Sequence, residues 1–282
     1  MREIGRAKLG DLEIEWERAG AGDRPFVLVH GFTGSRDDWA DVLPALAELG
    51  PTITLDQRGH GGSTNPGTPG TYSLEQLVRD LARFFDAVGI ERCDLLGHSM
   101  GGMVCLRLAL AHPARVASLV LMDTAPGPIA AQPRRIFEIG GKIAREQGMA
   151  ALFAAMRAQA ANDPNRPLAA RRAEEAMGPA RYWERVRAKI EAMDPEAFAT
   201  LGPLLTDHEG VEDRLGEIRC PTTVVVGAED AAFLAPSRAL EAGIAGARLV
   251  EIPGAAHSPQ IENTEPWLAA IRDHLARARG AC

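Results

Sequence analysis

Short runs of apolar residues recur along the chain, and Gly, Pro, Asp or His bounds most of them. The runs are rich in Val, Ile and Leu and cover residues 26–29, 52–55, 94–96, 118–122 and 222–226. Short apolar runs with such boundaries are typical of strands that are buried on both faces, as in a parallel sheet. We therefore predict buried strands at these five positions.

Helical patterns lie between these runs. Residues 38–49 and 74–88 have the apolar spacing of helices, and Ser73 with Gln76 three residues later predicts a capping box at the start of the second helix. Residues 12–16 alternate apolar with polar side chains, which predicts an antiparallel edge strand. Alternating strands and helices indicate right-handed crossovers, so we expect an α/β fold with a doubly wound, mostly parallel sheet and helices on both faces.

One long segment, residues 127–210, shows no strand pattern. It is dense in Ala, Arg, Glu and Met, and prolines divide it into several short helices: Pro164, Pro167, Pro179, Pro195 and Pro203. The segment leaves the sheet at the carboxyl end of a strand, which is where open α/β sheets bind ligands. We therefore predict a first part of the core at 1–126, a helical cap at 127–210, and a second part of the core at 211–282.

Composition and charge exclude several classes of protein. With 46% hydrophobic and 24% charged residues, the 282-residue chain has an ordinary globular composition. Its net charge of −7 argues against a nucleic-acid partner. The cysteines form no C-x-x-C pair, which favours reduced thiols in the cytoplasm: Cys93, Cys105, Cys220 and Cys282. We expect neither export nor a membrane partner, because the sequence lacks an apolar leader and a run of about 18 apolar residues.

The most informative motif is Gly97-His98-Ser99-Met100-Gly101. It matches G-x-S-x-G, follows a predicted strand and precedes a helical pattern. A sharp turn from strand to helix strains the serine backbone and exposes its hydroxyl above the sheet, while the glycines allow close approach of neighbouring backbone. Ser99 is therefore a candidate nucleophile. A serine nucleophile needs a base within hydrogen-bond reach and a third group that orients the base.

Two further motifs accompany the serine: HGFTG at residues 30–34, after one early strand, and DQRGHGGS at residues 56–63, after the next. Together the three motifs make residues 14–275 resemble the α/β-hydrolase fold family. The resemblance implies an eight-stranded sheet with a helical cap after strand 6, and the chain order nucleophile, acid, histidine. On that order we expect Ser99 as nucleophile, Asp230 as the acid beyond a late strand, and His257 as general base and then general acid.

Other acids and histidines remain alternatives. Asp123 also ends a strand, and some members of the family resemble that arrangement, whereas Glu229 adjoins Asp230. The remaining histidines follow no late strand and are expected to be structural or solvated. They are His30, His60, His98, His112, His208 and His274.

The resemblance also implies an oxyanion hole and a substrate pocket. The backbone N–H groups of Phe32 and Met100 would bind the oxyanion. Candidate pocket residues are Gly31, His98, Thr124, Phe233 and Ser258. A mostly apolar pocket predicts uncharged acyl groups. The sequence contains no metal-binding spacing and no dinucleotide fingerprint, so we predict neither a metal nor a cofactor.

We therefore predict a serine esterase that cleaves small to medium carboxylic esters through an acyl-enzyme, with the ester and water as its partners. Carbon–carbon bond hydrolases and menaquinone-pathway lyases of the same fold remain alternatives. The former usually have Asn before the serine and Trp after the histidine, where this chain has His98 and Ser258. A ligand-binding protein without turnover is the alternative of another class.

Overall fold

The computed structural model describes residues 2–129 and 133–280. Eight strands form one sheet: β1 (Arg2–Leu9), β2 (Leu12–Ala19), β3 (Phe26–Val29), β4 (Thr52–Leu55), β5 (Cys93–His98), β6 (Val116–Met122), β7 (Thr222–Gly227) and β8 (Arg248–Ile252). Their order across the sheet is β1-β2-β4-β3-β5-β6-β7-β8. All five strands predicted from apolar runs are present, and the mostly parallel α/β fold is confirmed.

The antiparallel part of the sheet differs from the sequence prediction. Residues 12–16 lie within β2, which pairs with β1 on one side and with β4 on the other. The prediction of an edge strand there was wrong, because Gly10 and Asp11 turn the chain so that β1 folds back over the full length of β2. The edge strand is β1, and its charged residues interrupt the alternation of apolar and polar side chains that would have predicted it.

Helices cover both faces of the sheet. Outside the segment between β6 and β7 they are α1 (Leu43–Ala47), α2 (Leu74–Ala87), α3 (Met100–Ala111), α9 (Ala231–Gly243), α10 (Pro259–Glu262) and α11 (Thr264–Arg279). One hydrophobic core lies between the sheet and α2, α3 and α9, and a second core lies under α1 and α11 on the opposite face. The strands β3 to β7 are thus buried on both faces, which explains their apolar runs, whereas β1 and β8 at the two edges of the sheet are partly exposed.

Two local predictions are corrected at helix ends. Ser73 Oγ accepts from the Gln76 N–H, but the Gln76 side chain donates to Asp80, so only half of the capping box forms. The helix predicted over residues 38–49 is a short 3-10 turn at Arg36–Trp39 followed by α1. Pro44 explains the break, because proline is tolerated only in the first turn of a helix.

Between β6 and β7, the described residues form five α-helices and then a 3-10 turn at Glu212–Glu217. The five helices are α4 (Arg134–Gln147), α5 (Met149–Asn162), α6 (Leu168–Met177), α7 (Pro179–Ala192) and α8 (Pro195–Leu204). Pro179 and Pro195 occupy first-turn positions, and Pro167 precedes α6, as expected for residues that start rather than continue helices. Pro203 lies inside the last turn of α8. No helix among the described residues is long and apolar enough to cross a membrane.

A buried polar network ties α11 to the sheet far from the carboxyl ends of the strands. Ser118 Oγ donates to Asp94 Oδ1 at 2.7 Å and lies 3.0 Å from His274 Nε2, while Thr223 Oγ1 lies 2.8 Å from His274 Nδ1. Because Ser118 uses its proton on Asp94, His274 must donate from Nε2 and accept at Nδ1. Burial lowers the pKa of His274 to about 4, so the imidazole is neutral at pH 7.

This network predicts a loss of stability in acid. Unfolding returns the His274 pKa from about 4 to its ordinary value near 6.5, so the unfolded state binds the extra proton, and stability falls as the pH drops below about 6.5. At about 1.4 kcal/mol per pKa unit, this residue contributes up to about 3 kcal/mol of that loss. Denaturant unfolding at pH 7 and pH 4 should therefore show a smaller pH dependence for His274→Gln than for the unmodified chain. The exposed His112→Gln is the control and should leave the pH dependence unchanged.

Candidate active site

The turn between β5 and α3 presents Ser99. Its backbone has φ 53° and ψ −119°, a left-handed conformation that is strained for any residue with a Cβ. A Cβ at Gly97 would lie 2.4 Å from the carbonyl oxygen of Gly101, and a Cβ at Gly101 would lie 2.4 Å from the carbonyl oxygen of His30. Both glycines of G-x-S-x-G are therefore required by backbone packing.

Three polar side chains meet at the carboxyl ends of β5, β7 and β8. Ser99 Oγ lies 3.0 Å from His257 Nε2, and His257 Nδ1 lies 2.7 Å from Asp230 Oδ2. Ser99 and Asp230 are buried, while the His257 side chain is 43% exposed. The structure thus brings together the three residues that the chain order singled out.

Backbone contacts hold the acid and histidine loops together. Ala228 donates to the carbonyl of Ile252, and Glu229 donates to the carbonyl of Ala255. A Cβ at Gly227 would lie 2.0 Å from the carbonyl oxygen of Ala256, so the first glycine of the acid loop permits this approach. Below the histidine, Glu262 Oε2 accepts from the N–H groups of Ala256 and Ser258. No sequence pattern pointed to Glu262.

The alternative acids have other partners. Asp123 Oδ1 accepts from the Gly227 N–H at 2.9 Å, and its side chain is fully buried. Glu229 accepts from the backbone of Ala169 and pairs with Arg172, so it faces α6. Within the described residues, Asp230 is the carboxylate that hydrogen-bonds to the His257 ring.

His98 packs against the loop that carries His257. Its Nε2 donates to the carbonyl oxygen of His257 at 2.6 Å, and the two rings lie 4.8 Å apart. Burial lowers the pKa of His98 to about 3, so the ring is neutral and can remain a donor through one nitrogen. Three more of the histidines that were expected to be structural or solvated, His30, His60 and His274, are also buried.

The two residues expected to supply the oxyanion hole, Phe32 and Met100, belong to backbone segments next to the serine. Met100 is the first residue of α3, so its N–H has no acceptor within the helix. Phe32 follows Gly31, where a Cβ would lie 2.9 Å from Ser99 Cβ. The loop after β3 therefore lies directly against the serine.

A cavity of about 430 Å³ opens above Ser99. No Asp, Glu, Lys or Arg among the described residues lines it, and the polar side chains in its wall are those of Ser99, His257, Thr33 and Gln159. The rest of the wall is apolar: Phe32, Ile129, Ile136, Phe137, Ile139, Gly140, Ile143, Leu152, Ala155, Met156, Phe198, Leu205 and Phe233. The Phe233 ring stacks on His257 at 4.8 Å.

Four of the five predicted pocket residues lie behind or beside this cavity. Gly31 and His98 pack beneath Ser99 and His257. Thr124 is fully buried and donates through Oγ1 to the carbonyl of Ser99, so it fastens the turn. Ser258 lines a separate cavity of about 80 Å³. Tight packing around the turn leaves Phe233 as the member of this group that faces the space above the serine.

Sequence reasoning did not identify the residues that line the cavity from α4, although a signal was present. Ile136, Ile139, Gly140 and Ile143 have the spacing i, i+3, i+4 and i+7, which places them on one face of a helix. Periodicity identifies the face but does not tell whether a core or a cavity lies beneath it.

Comparisons with known proteins agree with this architecture. The family model of the α/β hydrolase fold matches residues 24–264. A relative from Azorhizobium caulinodans, named as the carbamate hydrolase RutD, is 32% identical over 88% of this chain and 89% of its own. The enol-lactonase of Burkholderia xenovorans superposes with a TM-score of 0.82 at 27% identity, covering 96% of this chain and 100% of that one. A thermophilic esterase from Thermogutta terrifontis superposes with a TM-score of 0.81 at 26% identity, covering 98% and 99%.

The strain at Ser99 predicts an unusual order of stability among variants. Glycine adopts a positive φ without strain, although it also gives the unfolded chain more conformational entropy to lose on folding. The relief of strain is the larger effect, so Ser99→Gly should be more stable than Ser99→Ala by about 1 kcal/mol. Ser237 lies on α9 and provides the matched control, because in a helix the order reverses and Ser237→Ala should be the more stable variant. Denaturant unfolding of the four variants measures both differences. Equal stabilities at position 99 would contradict the strained turn.

Proposed function

This chain belongs to the α/β-hydrolase fold family, and we propose that it is a serine esterase that cleaves carboxylic esters of small to medium uncharged acyl groups. The proposal rests on one observation: Ser99 Oγ lies 3.0 Å from His257 Nε2 at the floor of a cavity that the described residues line without a permanently charged side chain. A hydroxyl beside a base at the end of an apolar cavity is the arrangement that acyl transfer from a neutral ester requires.

In acylation, Ser99 Oγ attacks the ester carbonyl while its proton moves to His257 Nε2. Asp230 accepts the Nδ1–H of His257, which keeps Nε2 free as the acceptor and stabilises the imidazolium that forms. The imidazolium then gives its proton to the departing alkoxide, which leaves as the alcohol. Water repeats these steps in deacylation and releases the carboxylic acid and the free serine.

The negative oxygen of the tetrahedral intermediate would be bound by the backbone N–H groups of Phe32 and Met100. The position of Met100 at the start of α3 supports this role, because the helix leaves that donor unused and its dipole favours negative charge there. The position of the loop after β3 against Ser99 supports the second donor. Each donor of this kind contributes about 2.7 to 4 kcal/mol to catalysis.

The shape of the cavity supports the substrate class. We assign residues 127–210 as a cap, since α4, α5 and α8 contribute much of the apolar wall above Ser99. The relatives are named as a carbamate hydrolase, an enol-lactonase and an esterase, and each name refers to a bond between a carbonyl carbon and a heteroatom. A neutral ester fits both this bond type and the absence of Asp, Glu, Lys and Arg from the described wall.

Hydrolysis of p-nitrophenyl esters from acetate to dodecanoate tests the proposal. We expect turnover by the unmodified chain and by Ser237→Ala, and loss of turnover by about 10⁴-fold or more in Ser99→Ala, because the nucleophile is absent. Labelling of Ser99 by an aryl phosphonate should run in parallel with turnover.

Each other outcome has a distinct meaning. Turnover that persists in Ser99→Ala would refute the assignment of the nucleophile. Labelling without turnover of any ester would favour carbon–carbon bond cleavage or a lyase reaction on a narrow substrate. The absence of both would favour the ligand-binding alternative.

The wall formed by α4 predicts how acyl length is limited. Ile143 lines the cavity, so Ile143→Trp should fill space there and lower kcat/KM for the longest accepted ester by about tenfold or more, while acetate is affected less than about threefold. The neighbouring Lys142 is exposed, so Lys142→Trp is the matched control and should leave the chain-length profile unchanged. An equal effect of Ile143→Trp on all esters would place the acyl chain elsewhere.

A further inference from the structure

Asp123 is a buried acid that the proposed mechanism does not use. It directly follows β6, its backbone has φ 44°, and its side chain has no exposed surface. Asp123 Oδ1 accepts from the Gly227 N–H at 2.9 Å, but Oδ2 finds no hydrogen-bond donor among the described residues. A fully buried carboxylate oxygen without a donor is costly, so the protonation state of this side chain needs an explanation.

Another carboxylate, that of Asp230, lies close to the Asp123 side chain. One oxygen of Asp123, one oxygen of Asp230 and one ring nitrogen of His257 lie within 4.8 Å of one another. Among the described residues, Glu262, from α10, and His98, from the end of β5, are titratable groups close to this cluster. His98 is neutral and donates to a backbone carbonyl, so it supplies no positive charge to the two acids.

Two carboxylates this close in a buried site do not both ionise readily. Burial and the negative charge of Asp230 raise the pKa of Asp123 well above its usual range. Asp230 retains some exposure and has the His257 ring as a partner at 2.7 Å, whereas Asp123 has neither. The proton therefore belongs on Asp123 and the negative charge on Asp230.

We propose that Asp123 is a positioning residue whose protonated carboxyl donates its O–H to the Asp230 carboxylate, and so orients the acid that holds His257. The inference rests on the proposed esterase function, since it assigns Asp123 a role in that same site. It also accounts for the unpartnered Oδ2: a carboxylic acid there becomes a donor, and its acceptor is the neighbouring acid.

This role has a consequence for the pH dependence of catalysis. A carboxylate that accepts an additional hydrogen bond is a weaker partner for an imidazolium, because part of its charge is already neutralised. Removal of the donor should therefore move the acidic limb of the kcat/KM profile to higher pH. Replacement of the donor by another neutral donor should leave the limb in place.

Two substitutions separate these effects. In Asp123→Asn the amide has the same shape, its oxygen can accept from Gly227, and its NH₂ can replace the acid as donor to Asp230. We expect kcat/KM within about threefold of the unmodified chain and an unchanged acidic limb. In Asp123→Ala the donor is lost, so we expect about 10- to 100-fold lower kcat and the shift to higher pH. Asp230→Asn is the comparison and should lower kcat by about 10⁴-fold, because it favours the wrong tautomer of His257.

The measurements are pH profiles for the best p-nitrophenyl ester and for the rate at which an aryl phosphonate labels Ser99. The second readout reports activation of the serine even where no ester is turned over. An infrared difference spectrum between the unmodified chain and Asp123→Asn at pH 7 gives a third readout, the carbonyl band of a protonated carboxylic acid.

The outcomes distinguish this inference from the proposed function. A normally folded Asp123→Asn with an acidic limb at lower pH would show that Asp123 is ionised, which overturns the inference. Loss of about 10⁴-fold in Asp123→Asn but not in Asp230→Asn would make Asp123 the acid of the triad. If Asp123→Ala lowers kcat but leaves the acidic limb of the kcat/KM profile in place, Asp123 has only a packing role. No labelling of Ser99 in the unmodified chain would instead refute the proposed function, whatever the infrared spectrum shows.

Discussion

The close packing of backbone around Ser99 is the constraint on which the rest of the site depends. The serine adopts a positive φ because the chain turns from β5 into α3 within one residue, and the flanking glycines leave no room for a side chain. Thr124 fastens the carbonyl of Ser99, and the loop after β3 lies against its Cβ. The turn therefore fixes the position of Ser99, and His257, Asp230 and the cavity are arranged around that position.

The polar groups beneath the site are organised so that little charge is buried. Burial keeps His98 and His274 neutral, and each then serves as a directional hydrogen-bond donor instead of a cation. The proposed proton on Asp123 extends the same principle to a pair of acids. A protein interior tolerates polar groups when each donor meets an acceptor, and here that requirement specifies the protonation states as well as the geometry.

The segment between β6 and β7 combines an apolar inner wall with a charged attachment to the core. Lys189 of α7 pairs with Asp38 at 2.5 Å, and Arg185 pairs with Asp41, so α7 is bound to the turns after β3. The helices α4, α5 and α8 contribute apolar side chains to the cavity instead. A segment with many charged residues can therefore line an apolar cavity, because its helices present different faces to water and to the cavity.

The sequence by itself determined the five buried strands, the doubly wound fold and the turn at Ser99, since these depend on neighbouring residues and on patterns a few positions long. It also selected Asp230 and His257 through their place after late strands. Only the tertiary structure decided that β1 forms the edge of the sheet, that Asp230 rather than Asp123 hydrogen-bonds to His257, and that Thr124 and Ser258 lie away from the cavity. The physical reason is distance along the chain: Ser99 and His257 are 158 residues apart, and their contact depends on every strand and loop that packs between them.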